Sequence, residues 1–134
     1  WKDVGYHRVI CNGQPWGDWP ASGDGEIQLG RFLNEDALLV WKEVGAHARG
    51  FNKESVGICL IGDFTFMNPT PAQGRALVAL CTHLCEQFRL DPSEAIIGHK
   101  DLNSTECPGK YLYSLLPMVR IAVKARMRLR GWMV

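Results

Sequence analysis

Apolar and polar residues alternate from Tyr6 to Cys11, with enough β-branching to predict a strand. Asn12 to Gly25 is crowded with Gly, Pro, Trp, Asp and Ser and reads as a long turn, in which Trp16 and Trp19 either line a cleft or cover a sheet edge. Glu26 to Gly30 reads as the return strand of a hairpin. The run Val56 to Ile61 is short and continuously apolar, the pattern of a central strand covered on both faces. Thr70 and Pro71 open the best-defined helix, one as cap and the other as first-turn residue. Ala76, Leu77, Leu80, Cys81, Leu84 and Phe88 give that helix a single apolar stripe, and Asp91-Pro92 ends it. Ala95 to Ile97 predicts a second buried strand that delivers Gly98 and His99 at its C-terminal end. A last helix is expected from about Tyr111 into the tail, interrupted near Pro117. Strands and helices alternating about one core, with an antiparallel first hairpin, predict an α/β fold with a mixed central sheet flanked by helices.

With 134 residues, 46% of them hydrophobic and 22% charged, the chain has the make-up of one globular domain with a core of its own. No apolar run approaches the roughly 18 residues that a membrane-spanning helix needs. Trp1 to Gly5 lacks the basic-then-apolar layout of an export signal, and the first residue is not Met, so a processed or truncated start is expected. The five cysteines form an odd set without framework spacing and are read as reduced thiols, with Cys81 and Cys85 sharing a helix face as small core residues. From Pro117 onward lie Arg120, Lys124, Arg126, Arg128 and Arg130 and no acid. Such a tail is either attracted to an anionic surface or forms the wet face of a terminal helix. Without interleaved aromatics or a surrounding motif it gives no support to nucleic-acid binding.

The densest chemistry lies between Gly98 and Gly109, where His99 and Cys107 stand eight positions apart and a Pro-Gly turn follows. Imidazole and thiolate are common zinc ligands, and a site with three protein ligands keeps a position open for water or substrate. Asp101 is placed to orient a neighbouring backbone or ring N–H. On its own this pair is also compatible with a surface histidine and an unrelated cysteine.

Three further segments change that balance: Gly5-Tyr6-His7, Gly45 to Asn52 (GAHARGFN) and Ser55 to Asp63 (SVGICLIGD). In this order, with the His99 to Gly109 segment, they resemble the zinc-dependent N-acetylmuramoyl-L-alanine amidases, a superfamily that includes phage amidase-type lysozymes and animal peptidoglycan recognition proteins. The likeness extends over most of Trp1 to Leu116. It implies cleavage of the amide between the lactyl group of N-acetylmuramic acid and L-alanine of the stem peptide, by water activated on one zinc ion. It also implies bacterial peptidoglycan as the partner, and a phage- or bacterium-encoded protein acting on the cell wall. By the same resemblance His99 and Cys107 are the expected metal ligands. Tyr6 is expected to reach the zinc-bound water, Thr105 to donate to the oxyanion, and His47 and Asn52 to line the glycopeptide groove. Tyr6 and His7 are neighbours on a strand, so with Tyr6 facing the site His7 faces away as a packing residue. His83, in mid-helix, is expected to be structural or exposed.

One departure stands out. The family's first histidine ligand lies at the end of an earlier strand, and this chain begins five residues before Tyr6. The sequence is thus expected to lack the family's first strand, the helix after it and one of three zinc ligands. Three explanations stay open: the numbered residues are part of a longer amidase, His7 or His47 substitutes as a ligand, or the chain is a non-catalytic peptidoglycan-binding module that has lost its zinc.

Overall fold

The structure is a computed structural model that describes residues 5–14 and 23–134. Among the described residues the sheet has three strands: β1 (Arg8–Asn12), β2 (Asp24–Leu29) and β3 (Ile58–Leu60), in the order β2-β1-β3. β1 runs antiparallel to β2, pairing Val9 with Gln28, and parallel to β3, pairing Val9 with Cys59. The mixed sheet of the α/β expectation is therefore present. Its centre is β1, however, where Ile10 and Cys11 are buried, while β3 is half-buried at the sheet's end. The apolar run at Val56 to Ile61 had suggested the central position. A short run of that kind cannot separate a covered strand from one lying beneath a cleft wall. The Trp16 and Trp19 expectation lies outside the described residues.

The long helix α1 (Pro71–Phe88) begins as its sequence dictates. Thr70 Oγ1 accepts from Gln73 N, and Gln73 Oε1 accepts from Thr70 N, both at 3.0 Å, so two otherwise orphaned donors are satisfied. Leu77, Leu80, Cys81, Leu84 and Cys85 are buried, and Arg89 in the left-handed conformation closes the helix before Asp91-Pro92. Gln73 does a second job. Its Nε2 donates to Ile10 O at 3.3 Å and Ile61 O at 2.9 Å, joining the helix to β1 and to the residue that follows β3, from a side chain with 1% exposure. Gln73→Leu leaves Ile61 O and Thr70 N without these partners, while Ile10 O keeps its bond from Ile61 N, and should cost about 1–3 kcal/mol of stability. A denaturant midpoint equal to wild type would show that the clamp is dispensable.

Ala95–Ile97 does not form a strand. Asp91 caps the short helix α2 (Pro92–Ala95), accepting from Ser93 N at 2.9 Å, and the chain then leaves in an extended conformation with Ile96 buried. The cap and the first-turn Pro commit this stretch to a helical turn before three apolar residues can pair as a strand. The final helix α3 (Lys110–Leu129) runs without interruption past Pro117. Leu112, Leu116, Val119, Val123 and Met127 are buried along it against α1, and this packing offsets the roughly 3 kcal/mol that an interior Pro costs.

The basic tail is largely tied to the protein itself. Arg120 Nε donates to Ile96 O at 2.7 Å, Lys124 Nζ to Ser93 Oγ at 3.0 Å, and Arg128 Nε to Val134 O at 2.7 Å, while Arg130 pairs with Glu86 at 3.0 Å. Among the described residues no helix is long and apolar enough to cross a membrane. All five cysteines are free thiols.

Candidate functional site

Beyond β3 the surface folds into a cavity of about 920 Å³ whose walls include Tyr6, His47, Cys59, His99 and Cys107. Four of the expected site residues thus share one space, although they come from three separate stretches of chain. The remaining two, Thr105 and Asn52, are not among the residues lining it; each hydrogen-bonds within a loop that borders it.

The loop from Gly45 to Asn52 is shaped by Asn52, whose Oδ1 accepts from His47 N at 2.8 Å and Ala48 N at 2.9 Å. His47 packs so closely on β3's approach that a Cβ on Gly57 would meet its Cδ2 at 2.5 Å, which accounts for glycine there. The Tyr6 ring stacks on His47 with centroids 5.8 Å apart, and His7 meets His47 edge-on at 5.7 Å. His47 Nε2 is buried with no hydrogen-bond partner among the described residues. Burial, followed by the neighbouring His7, pushes the His47 imidazole below the ordinary histidine range, so it is neutral at pH 7.

His7 faces away from the cavity and is fully buried. Its Nδ1 accepts from Gly57 N at 3.0 Å and its Nε2 donates to Glu43 O. A backbone N–H can only donate and a carbonyl can only accept, so this imidazole is the neutral Nε2–H tautomer with both nitrogens engaged. Glu43, also fully buried, uses its side chain to accept from Asn34 N at 2.8 Å and Val40 N at 2.9 Å. Nothing in the local sequence around Glu43 signals this role.

His99 opens a single 3-10 turn, His99–Asp101. Asp101 Oδ2 accepts from Gly98 N at 2.9 Å and its Oδ1 accepts from Tyr113 OH at 2.6 Å, tying the turn to α3. The Tyr113 hydrogen bond, and then that from Gly98, hold the Asp101 carboxyl below the usual carboxylate range. The turn and the cysteine loop are joined by Lys100 N donating to Cys107 O at 2.9 Å. Gly109 closes the loop at φ 88°, where a Cβ would strike the Phe64 backbone at 2.5 Å. Thr105 Oγ1 accepts from Cys107 N at 3.2 Å and so retains its own hydroxyl proton for donation. Asn103, which sequence reading passed over, bridges His99 Nε2 at 2.8 Å and Arg49 O at 3.1 Å.

The electrostatics of the pocket follow from its apolar walls. Burial, then the Cys59 and Cys107 thiols, raise the Tyr6 phenol above its ordinary value, so it enters the cavity as an O–H group. Burial likewise raises the Cys107 thiol. A metal ion binding there must displace the thiol proton. The imidazole of His99 and the thiol of Cys107 suit zinc in kind. Their number falls short, because among the described residues no three His, Cys, Asp or Glu side chains converge in a metal-holding group. His83 is remote from this chemistry, half-exposed and 3.1 Å from Glu35.

The chain is 32% identical over 130 residues to the N-acetylmuramoyl-L-alanine amidase of Sus scrofa, an alignment spanning 94% of this chain and 19% of that protein. The endolysin N-acetylmuramoyl-L-alanine amidase LysCS from Clostridium intestinale superposes with a TM-score of 0.64 at 29% identity, covering 92% of this chain and 63% of the other. Human PGRP-IBETAC, solved in complex with glycosamyl muramyl pentapeptide, superposes with a TM-score of 0.60 at 25% identity, covering 84% of this chain and 57% of that one. The chain therefore spans less than two thirds of the length of each of these relatives. Residues 6–110, the stretch from Tyr6 through the His99–Cys107 loop, match the N-acetylmuramoyl-L-alanine amidase family model, and the chain belongs to that family.

Proposed function

We propose that this protein hydrolyses the amide bond between N-acetylmuramic acid and L-alanine in bacterial peptidoglycan, with His99 and Cys107 among the ligands of a zinc ion. The observation that carries this reading is the placement of Tyr6, His47, His99 and Cys107 around one cavity beside β3. When bound, zinc supplies a Lewis acid for the scissile carbonyl and lowers the pKa of water toward neutrality.

The chain's own residues account for the remaining work. Tyr6, held protonated by its surroundings, donates to or relays a proton from the attacking water. Thr105, with Cys107 N already on its lone pair, directs its O–H to the oxyanion. His47 contributes a neutral ring to the cavity wall, and Asn52 keeps its loop in shape. No acidic side chain stands among these groups as a general base. The cavity's apolar wall, which includes Val56, Leu60 and Phe64, lowers the local dielectric beside these groups and strengthens their polar contacts.

A second reading, peptidoglycan binding without cleavage, draws on the two-donor count at the metal position. The human relative's complex with a muramyl pentapeptide supports the same class of ligand for either reading. Incubating the chain with purified muropeptide, with zinc and with a chelator, separates them. Release of a stem peptide with a free L-alanine amino terminus, lost on chelation, is the expected result. Saturable muropeptide binding with no cleavage at excess zinc would replace the amidase reading with the recognition one.

A further inference from the structure

The two contacts of Asn103 determine which nitrogen carries the proton in a neutral His99 ring. Arg49 O is a carbonyl and only accepts, so the Asn103 atom 3.1 Å from it is the Nδ2 amide. This fixes the amide's orientation, which would otherwise be open to a flip. The Asn103 atom 2.8 Å from His99 Nε2 is then the Oδ1 oxygen, which also only accepts. The hydrogen bond can form only with the proton on Nε2. Nδ1 of a neutral His99 is then the nitrogen with the lone pair.

We infer that Asn103 is a positioning residue: its side chain holds His99 in the Nε2–H tautomer, keeps Nδ1 as the nitrogen available to a metal ion, and couples the ring to the 45–52 loop through Arg49 O. The inference rests on the proposed metal role of His99. The geometry supports more than a local tie. Asn103 N also donates to His99 O at 3.0 Å, so both the backbone and the side chain of Asn103 hold the same residue. Across the cavity rim, Asn52 fixes the near end of the loop that carries Arg49, which places the groove wall and the His99 ring in one hydrogen-bonded chain. Outer hydrogen bonds of this kind set ligand orientation and basicity, and their loss typically weakens metal binding about 10–100-fold.

The test uses the full chain with histidine nitrogens labelled, without metal, at a pH of about 8. Two-bond proton–nitrogen NMR correlation reads the tautomer, with His99→Gln assigning the signal. Zinc titration of the same samples reads affinity. Wild type should show only the Nε2–H form of His99. Asn103→Leu should give a mixture of tautomers and bind zinc about 10–100-fold more weakly. Asn103→Asp keeps an acceptor and should restore the pure tautomer and most of the affinity, which a merely structural role would not predict. The inference is overturned by an Nδ1–H form in wild type, or by an Asn103→Leu variant that keeps either the pure tautomer or wild-type affinity. If that variant fails to fold, the wild-type and Asn103→Asp spectra still decide, since a mixed tautomer in either would refute it. Absence of zinc binding by wild type would undo the metal part of the proposed function, with the tautomer readout judging Asn103 independently.

Discussion

Cys107→Ser should remove zinc binding and reduce amide cleavage to background, whereas Thr105→Ala should keep zinc and lose about 10–10³-fold in turnover, the scale of one oxyanion donor. The contrast follows from what each atom contacts. Cys107 offers a thiol in the cavity, raised by desolvation and matched to a soft divalent ion once deprotonated. A serine hydroxyl in its place is harder and far less acidic, so it cannot replace the thiolate. Thr105 supports the loop by accepting from Cys107 N at 3.2 Å, while the Lys100 N to Cys107 O bond and the Gly109 turn also hold the cysteine in place. Zinc stoichiometry and initial rates on muropeptide, measured for both variants, distinguish the roles. Equal metal loss in the two would show that Thr105 supports the loop and does not act on the reacting group.

How far the sequence could be read depended on the range of each interaction. α1 was legible because its start, its period and its apolar stripe lie within twenty residues, as do the Thr70–Gln73 bonds that fix its first turn. The His99 to Gly109 segment was legible for the same reason, as a contiguous loop. Ala95–Ile97 misled because three apolar residues fit a buried strand and a buried connection equally well, and the decision came from Asp91 capping the turn before them. Pro117 predicted a break that α3 does not make, because packing along Leu112, Leu116, Val119 and Val123 outweighs a local penalty. The supports of the site were not legible. Asn103 meets Arg49 across 54 positions and His7 meets Glu43 across 36. No local pattern of polarity encodes such pairings. Asp101 lies between these cases: its capacity to orient an N–H was visible, but its partner Tyr113 emerged only once α3 was placed.

The largest stability effect should come from the buried pair behind the cavity. Glu43→Ala leaves Asn34 N and Val40 N without their acceptors. Both donors are part-buried, so their loss is discounted from the roughly 1–3 kcal/mol of a buried unpaired group, and the variant should still lose about 1–3 kcal/mol in total, a large part of a domain's stability. His7→Leu should do comparable damage by orphaning Gly57 N and Glu43 O, and Gly57 is where the chain enters β3. His7 adds a pH signature of its own. Burial, its largest influence, lowers the folded-state pKa below the ordinary histidine value; Arg8 and Arg31 push the same way, while the Glu43 carbonyl and side chain oppose them. A depressed folded-state pKa means that the unfolded chain takes up the proton first as pH falls. The contribution of neutral His7 is therefore complete above a pH of about 6.5 and is lost as pH falls through the folded-state value. His47, lowered for similar reasons, adds a contribution of the same sign. Unfolding free energies from denaturant titrations, taken from neutral pH downward, should decline for wild type and decline less steeply for His7→Gln, which keeps a polar side chain without the titration. Identical slopes for the two proteins would show that His7 is not among the groups whose protonation unfolds this chain.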